Sequence, residues 1–206
     1  MFVYSKMRWD LTGFDSFDEL WDLEGEEARA AKTTLDSGAV KHLYKVAGEQ
    51  YVISIGQVDL LETLDRYAFG YLPMREHLIF ETVWSLEEGF SVDDIPGYLA
   101  ARREKLKECP KFLYLIQLCF PKEKRVIAER WSDMVTTVSQ ADNCIGMYRV
   151  AGQQRIIMIA DVENADQLTA LTDLPLFESS ITEKVWALRD YLLFAEDVLK
   201  HYKDVL

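Results

Sequence analysis

The chain has 206 residues, 49% hydrophobic and 28% charged, with 35 acidic against 23 basic side chains and a net charge of −12. That length admits one large domain or two small ones. The negative surface repels phosphate backbones and anionic lipid, which argues against nucleic-acid and membrane partners, and no apolar run reaches bilayer-spanning length.

In chain order, Phe2–Arg8 reads as a strand. Asp18–Leu35 carries helix formers (Glu26, Glu27, Ala28, Ala30, Ala31) and ends at Asp36-Ser37-Gly38, a glycine stop. Val40–Ala47 and Tyr51–Val58 are strands joined around Gly48-Glu49-Gln50, a hairpin pattern. Leu60–Phe69 is a second helix and Glu76–Leu86 a fourth strand. Glu88–Glu108, with Pro96-Gly97 and then Arg102, Arg103, Lys105 and Lys107, reads as a partly helical linker. The plan then returns: strand Phe112–Phe120, helix Lys122–Gln140, hairpin Ile145–Val150 and Arg155–Val162, helix Ala165–Thr172, strand Ile181–Leu188. The tail has apolar residues at helical spacing (Leu192, Leu193, Ala195, Val198, Leu199) and reads as a terminal helix.

The return is literal in places. Leu43-Tyr44-Lys45-Val46-Ala47-Gly48 recurs as Met147-Tyr148-Arg149-Val150-Ala151-Gly152, a shift of 104 positions. At a shift of 102, Leu72-Pro73 matches Leu174-Pro175, Glu81 matches Glu183, and Val83-Trp84 matches Val185-Trp186. A changed shift is what unequal loops produce, so the chain reads as a tandem duplication. The expected fold class is α+β: two tandem ferredoxin-like βαββαβ units that pair their sheets. The divisions are 1–87 for the first repeat, which carries the site, 88–110 for the linker, 111–188 for a degenerate scaffold repeat, and 189–206 for the C-terminal helix.

Three cysteines (Cys109, Cys119, Cys144) without CxxC spacing make neither a disulfide framework nor a zinc site, and they lack a basic neighbourhood. With no basic start followed by a long apolar segment at the N-terminus, a cytoplasmic protein is expected. The three histidines are scattered, and no Gly-rich phosphate loop or GxSxG motif occurs, so neither metal nor cofactor is expected.

Lys41-His42-Leu43-Tyr44-Lys45-Val46-Ala47-Gly48 resembles the strand-and-turn signature of muconolactone Δ-isomerases, members of the dimeric α/β-barrel superfamily. Lys6-Met7, Glu26-Glu27-Ala28-Arg29-Ala30-Ala31 and Leu174-Pro175-Leu176-Phe177 are similar to further pieces of that pattern. The resemblance implies an α/β barrel closed within one chain as a pseudo-dimer, with further homo-oligomerisation left open. It also implies a first-helix acid as the base, here Glu27, and a strand histidine, His42.

Isomerising a conjugated lactone needs a base for the proton α to the carbonyl, an acid to return it, and donors for the enolate oxygen. Strand alternation puts Val40, His42, Tyr44 and Val46 on one face, with Lys41, Leu43 and Lys45 on the other. In the second copy Gly146 replaces His42 and Ile116 replaces Lys6, while Tyr148 keeps the place of Tyr44. One asymmetric pocket is therefore expected, with Glu27 and His42 catalytic and Lys6, Tyr44 and His77 lining it. The plain structural alternatives are a solvated helix acid for Glu27, a surface residue between two lysines for His42, packing for Tyr44 and a solvated edge for Lys6. The expected activity is a cofactor-independent isomerase or cyclase acting on a small conjugated lactone, ketone or polyketide-like molecule. The alternatives are a non-catalytic small-molecule binding or assembly module and a cofactor-free monooxygenase on the same fold.

Overall fold

The structure, a computed structural model, describes residues 1–66, 72–106, 111–121 and 125–201. The end of the helix expected at Leu60–Phe69, the start of the one expected at Lys122, Cys109, the side chain of His201 and the chain beyond it lie outside the described residues. The fold is α+β with antiparallel strands, and the chain divides into two compact units, Met1–Trp84 with Arg189–Leu206, and Ser85–Leu188.

The first unit holds strands β1 (Phe2–Trp9), β2 (Val40–Val46) and β3 (Tyr51–Gln57), helices α1 (Phe17–Asp36) and α2 (Leu61–Arg66), and the first half of β4 (Leu78–Ser91). The C-terminal helix α6 (Tyr191–His201) belongs to it too. Its sheet runs β4–β1–β3–β2. Helix α1 starts where Ser16 accepts the Glu19 amide (3.2 Å) and Glu19 reaches back to the Asp15 amide (3.0 Å), a reciprocal cap of the kind that satisfies free N–H groups. The hairpin turns at Gly48, whose φ of +76° suits glycine. Helix α6 lies against α1 at Gly25, where an added Cβ would come within 3.3 Å of Leu199.

Register fixes two faces. Ser5 opposes Ser54 and Met7 opposes Val52 on one; Tyr4 opposes Ile55 and Lys6 opposes Ile53 on the other. In β2, Leu43 opposes Ser54 while His42 and Tyr44 oppose Ile55 and Ile53. The register shifts between Val40 and His42. That bulge moves Val40 away from the His42 face where simple alternation puts it, since an extra residue at Lys41 flips what precedes it.

The second unit holds β5 (Phe112–Cys119), β6 (Cys144–Val150), β7 (Arg155–Val162), β8 (Ile181–Asp190), the rest of β4, and helices α3 (Ile95–Lys105), α4 (Val126–Ser139) and α5 (Ala165–Thr172). Its strands run β8–β5–β7–β6–β4. Strand β4 starts later and ends later than Glu76–Leu86. Arg75–His77 is a 3-10 turn, and the strand continues to Ser91 through a bulge between Glu88 and Phe90. Gly89 allows this: a Cβ there would stand 2.6 Å from Val135. Helix α3 is anchored to β7 through Arg102 and Tyr98. Asp161 (1% exposed) on β7 accepts Arg102 Nε at 2.8 Å and Tyr98 Oη at 2.7 Å. No helix among the described residues is long and apolar enough to cross a membrane.

Removing one partner of a buried ion pair strands the other charge, at a cost of roughly 3–5 kcal/mol. Asp161→Ala is therefore expected to lower unfolding free energy by about 3 kcal/mol or more in urea titrations, without altering the chemistry of the first unit.

Candidate functional site

Helix α1 hides one stripe of its surface against the sheet. Its buried residues are Leu20, Glu24, Gly25, Glu27 and Ala31. Leu20, Glu24, Glu27 and Ala31 follow the spacing of a single helical face, so two carboxyls sit where apolar side chains are usual. Glu26, beside Glu27 in sequence, is on the exposed side.

Between α1 and the sheet lies a cavity of about 100 Å³. Its lining is mostly apolar, with Val3, Met7, Val40, Leu43, Val52 and Phe80 among the contributors. The polar lining includes Glu27, Tyr191 and the cross-strand pair Ser5 and Ser54. Ala31 also lines it; a longer side chain there would take up the space.

Glu27 is 8% exposed, and its Oε2 accepts the Met74 amide at 3.1 Å. Burial pushes its pKa above the usual carboxylate value, and the Met74 hydrogen bond partly opposes this. Glu24 is 0% exposed, and burial lifts it to about 7. Neither Glu24 oxygen has a partner in full hydrogen-bond geometry among the described residues, although the Tyr191 hydroxyl is close enough to draw the pKa down. The charge of Glu27 raises it further and that of Lys45 lowers it. Lys45, 5% exposed, donates to the Val46 carbonyl at 2.7 Å and to the Glu49 carbonyl, with the Trp9 and Phe194 rings 5.2 and 5.4 Å from its ammonium. Burial pushes Lys45 down to about 8. The Tyr191 phenol is held far above its ordinary pKa by burial and then by the two carboxyls, so it stays protonated.

The other residues singled out from the sequence stand elsewhere. His42 and Tyr44 are fully buried on the opposite face of the sheet, with Nδ1 of His42 2.9 Å from the Tyr44 hydroxyl. Burial, then the charge of Lys41, pushes His42 down to about 3, so it is neutral near pH 7. Lys6 is on that face as well, paired with Glu81 at 2.7 Å and 4.2 Å from the Tyr51 ring centroid. His77 is half-buried, its ring 4.0 Å from that of Phe14, and its carbonyl accepts the Asp10 amide at 2.7 Å. The structure thus groups Lys6, Tyr44 and His42 on one sheet face and sets Glu27 on the other. Glu27 and His42 are both buried, unlike the solvated helix acid and surface histidine of the plain reading. Among the cysteines, Cys119 does have a basic neighbour, Arg155 Nε at 3.3 Å, while Cys144 is buried and pushed up to about 12. Among the described residues no three His, Cys, Asp or Glu side chains gather as a metal site would require.

Sequence reasoning missed Glu24, Ser5, Ser54 and Tyr191. For Glu24 the signal was present, since it falls on the same helical stripe as Leu20, Glu27 and Ala31. Nothing local marks Tyr191, which arrives from the end of the chain.

No family model matches the sequence, and no curated protein does either. Solved structures do match in shape. A variant of chlorite dismutase from Candidatus Nitrospira defluvii has a TM-score of 0.58 at 12% identity, over 94% of this chain and 92% of that one. A proposed monooxygenase from Fusobacterium nucleatum has a TM-score of 0.52 at 7% identity, covering 91% of each chain. Another from Lactobacillus acidophilus NCFM has a TM-score of 0.50 at 10% identity, over 91% and 93%. The likeness shows the fold alone.

Glu24 makes stability depend on pH. Below its ordinary value of 4.5 it is protonated in folded and unfolded chains alike. Between 4.5 and about 7 the unfolded chain releases that proton while the folded chain keeps it, so stability falls as pH rises. The loss is expected to reach roughly 3 kcal/mol by about pH 8. Chemical unfolding of Glu24→Gln at about pH 5 and about pH 8 should show most of that decline removed; a decline equal to that of the parent chain would refute it.

Proposed function

We propose that the first unit is a cofactor-independent isomerase or cyclase site for a small conjugated lactone or ketone, with Glu27 as the base. The observation that carries this reading is a buried carboxyl, held by the Met74 amide, lining a mostly apolar cavity with paired serines on the sheet side. Burial takes the Glu27 carboxylate largely out of water, which makes it a stronger base than in solution. The substrate carbonyl would face the Ser5 and Ser54 hydroxyls, which offer donors to the developing enolate oxygen, and its α-carbon would face Glu27. The Tyr191 hydroxyl is a further donor.

Size narrows the substrate class. An apolar cavity of roughly 150 Å³ takes up benzene, and the present one is about 100 Å³. A single five-membered ring is in keeping with that volume. In the same reading the chain is two tandem ferredoxin-like units forming an intrachain pseudo-dimer, divided as 1–87 and 111–188, with the second unit as scaffold. The apolar stripe of α4 (Val126, Ile127, Met134, Val138) supports that division of labour, because it carries no acid where α1 carries two. Lys6, His42, Tyr44 and His77 then serve the frame of the unit rather than the proton transfer.

The test is proton exchange α to the carbonyl of an unsaturated five-membered lactone in heavy water, followed by NMR. Glu27→Gln is expected to reduce exchange by roughly a hundredfold or more; exchange at the parent rate would dismiss Glu27 as the base. Lactone binding without exchange would favour a binding module, and oxygen uptake with a quinol or anthrone-like substrate would favour the monooxygenase. Ala31→Met should fill the cavity and abolish lactone binding, measured by calorimetry, while leaving the melting temperature unchanged or higher.

A further inference from the structure

The buried face of α1 carries a second carboxyl that the Glu27 chemistry leaves unused. Glu24 precedes Glu27 by three residues, so both leave the helix on one side. It is 0% exposed, with neither oxygen in full hydrogen-bond geometry among the described residues. An acid held this way costs stability. The fold does not require it, since α4 buries only apolar side chains on its inward stripe.

The groups that face Glu24 come from three elements: Glu27 on α1, the Tyr191 hydroxyl on α6, and Lys45 on β2, itself influenced by Arg189 and Glu49. The Lys45 ammonium is engaged by the Val46 and Glu49 carbonyls. Tyr191 is the group that feels both carboxyls, and it also lines the cavity, which Glu24 does not.

We propose that Glu24 is a positioning residue for proton transfer at Glu27, holding the second proton of a carboxyl pair and delivering it to the substrate through the Tyr191 hydroxyl. The inference rests on the proton-transfer reading above. Glu27, as carboxylate, takes the proton from the α-carbon: a C–H bond breaks, an O–H bond forms on Glu27, and the electron pair moves into the conjugated enolate. Tyr191 gives its hydroxyl proton to the far carbon of that enolate and takes the proton of Glu24. The substrate has lost one proton and gained one. The pair now carries its proton on Glu27, and a return transfer through Tyr191 resets it, with no oxidant or reductant involved.

The experiment is the pH profile of lactone exchange for the full chain and for Glu24→Gln, Glu24→Asp, Tyr191→Phe and the Glu24→Gln/Tyr191→Phe double variant, beside carbon NMR titration of the glutamate carboxyls. Glu24→Gln should lower kcat by roughly ten- to a hundredfold with KM nearly unchanged, and should erase the limb of the profile near neutral pH. Glu24→Asp should recover part of both. The double variant should be no worse than the poorer single, as expected of groups acting in series. In the titration, Glu27→Gln should lower the midpoint of Glu24, because the charge of Glu27 raises it. Exchange lost in Glu27→Gln but unaltered in rate and pH profile in Glu24→Gln overturns this inference alone, as does a Glu24 midpoint unmoved by Glu27→Gln. No exchange in the parent chain overturns the reading beneath it, and this inference with it.

Discussion

A helix laid on a sheet must hide one stripe of its surface, and α1 hides two carboxyls on that stripe. Most of the first unit's unusual features serve this constraint. The small side chain of Ala31 leaves room beside Glu27, and the Met74 amide gives Glu27 a donor. The bare backbone at Gly25 lets α6 descend on α1 near Leu199, and α6 begins with Tyr191, whose buried phenol feels both acids. An ionised carboxylate without such company would neutralise or unfold its surroundings. The arrangement tolerates the acids by holding the pKa of both above the usual carboxylate value.

The sheet beneath the helix has two unlike faces. Toward α1 it presents apolar residues with the Ser5–Ser54 pair; away from α1 it presents Tyr4, His42, Tyr44 and the Lys6–Glu81 pair. On the second face His42 is neutral against Tyr44 and Lys6 is held by Glu81. The first face is where a group capable of accepting a proton adjoins empty space. The cavity lining and the His42–Tyr44 and Lys6–Glu81 pairs are thus sorted to opposite faces by the two-residue period of the strands.

Much of the architecture was legible because the signals are local. The glycine stop at Gly38, the hairpin at Gly48 and its echo at Gly152 all have φ near +75° (+74°, +76° and +73°), where glycine is favoured. Glu27, singled out by resemblance, lies on the buried stripe. What alternation alone could not give was the bulge between Val40 and His42, because a single inserted residue leaves no compositional trace. The extension of β4 to Ser91 was hidden for a similar reason: Gly89 reads as a breaker locally but serves a close approach to Val135 and Trp131. Tyr191 was illegible for a different cause. Its place depends on where a terminal helix docks, and that is a long-range fact.

Tyr191 also gives the site a history. The cavity is walled by residues of β1 and α1 from the start of the chain and by the first residue of α6 near its end. On a ribosome, the sheet and α1 emerge long before α6, so the nascent first unit has its two acids but lacks the phenol that covers them. The site is completed only when α6 folds back, which ties its maturation to the synthesis of a helix that follows the whole of the second unit.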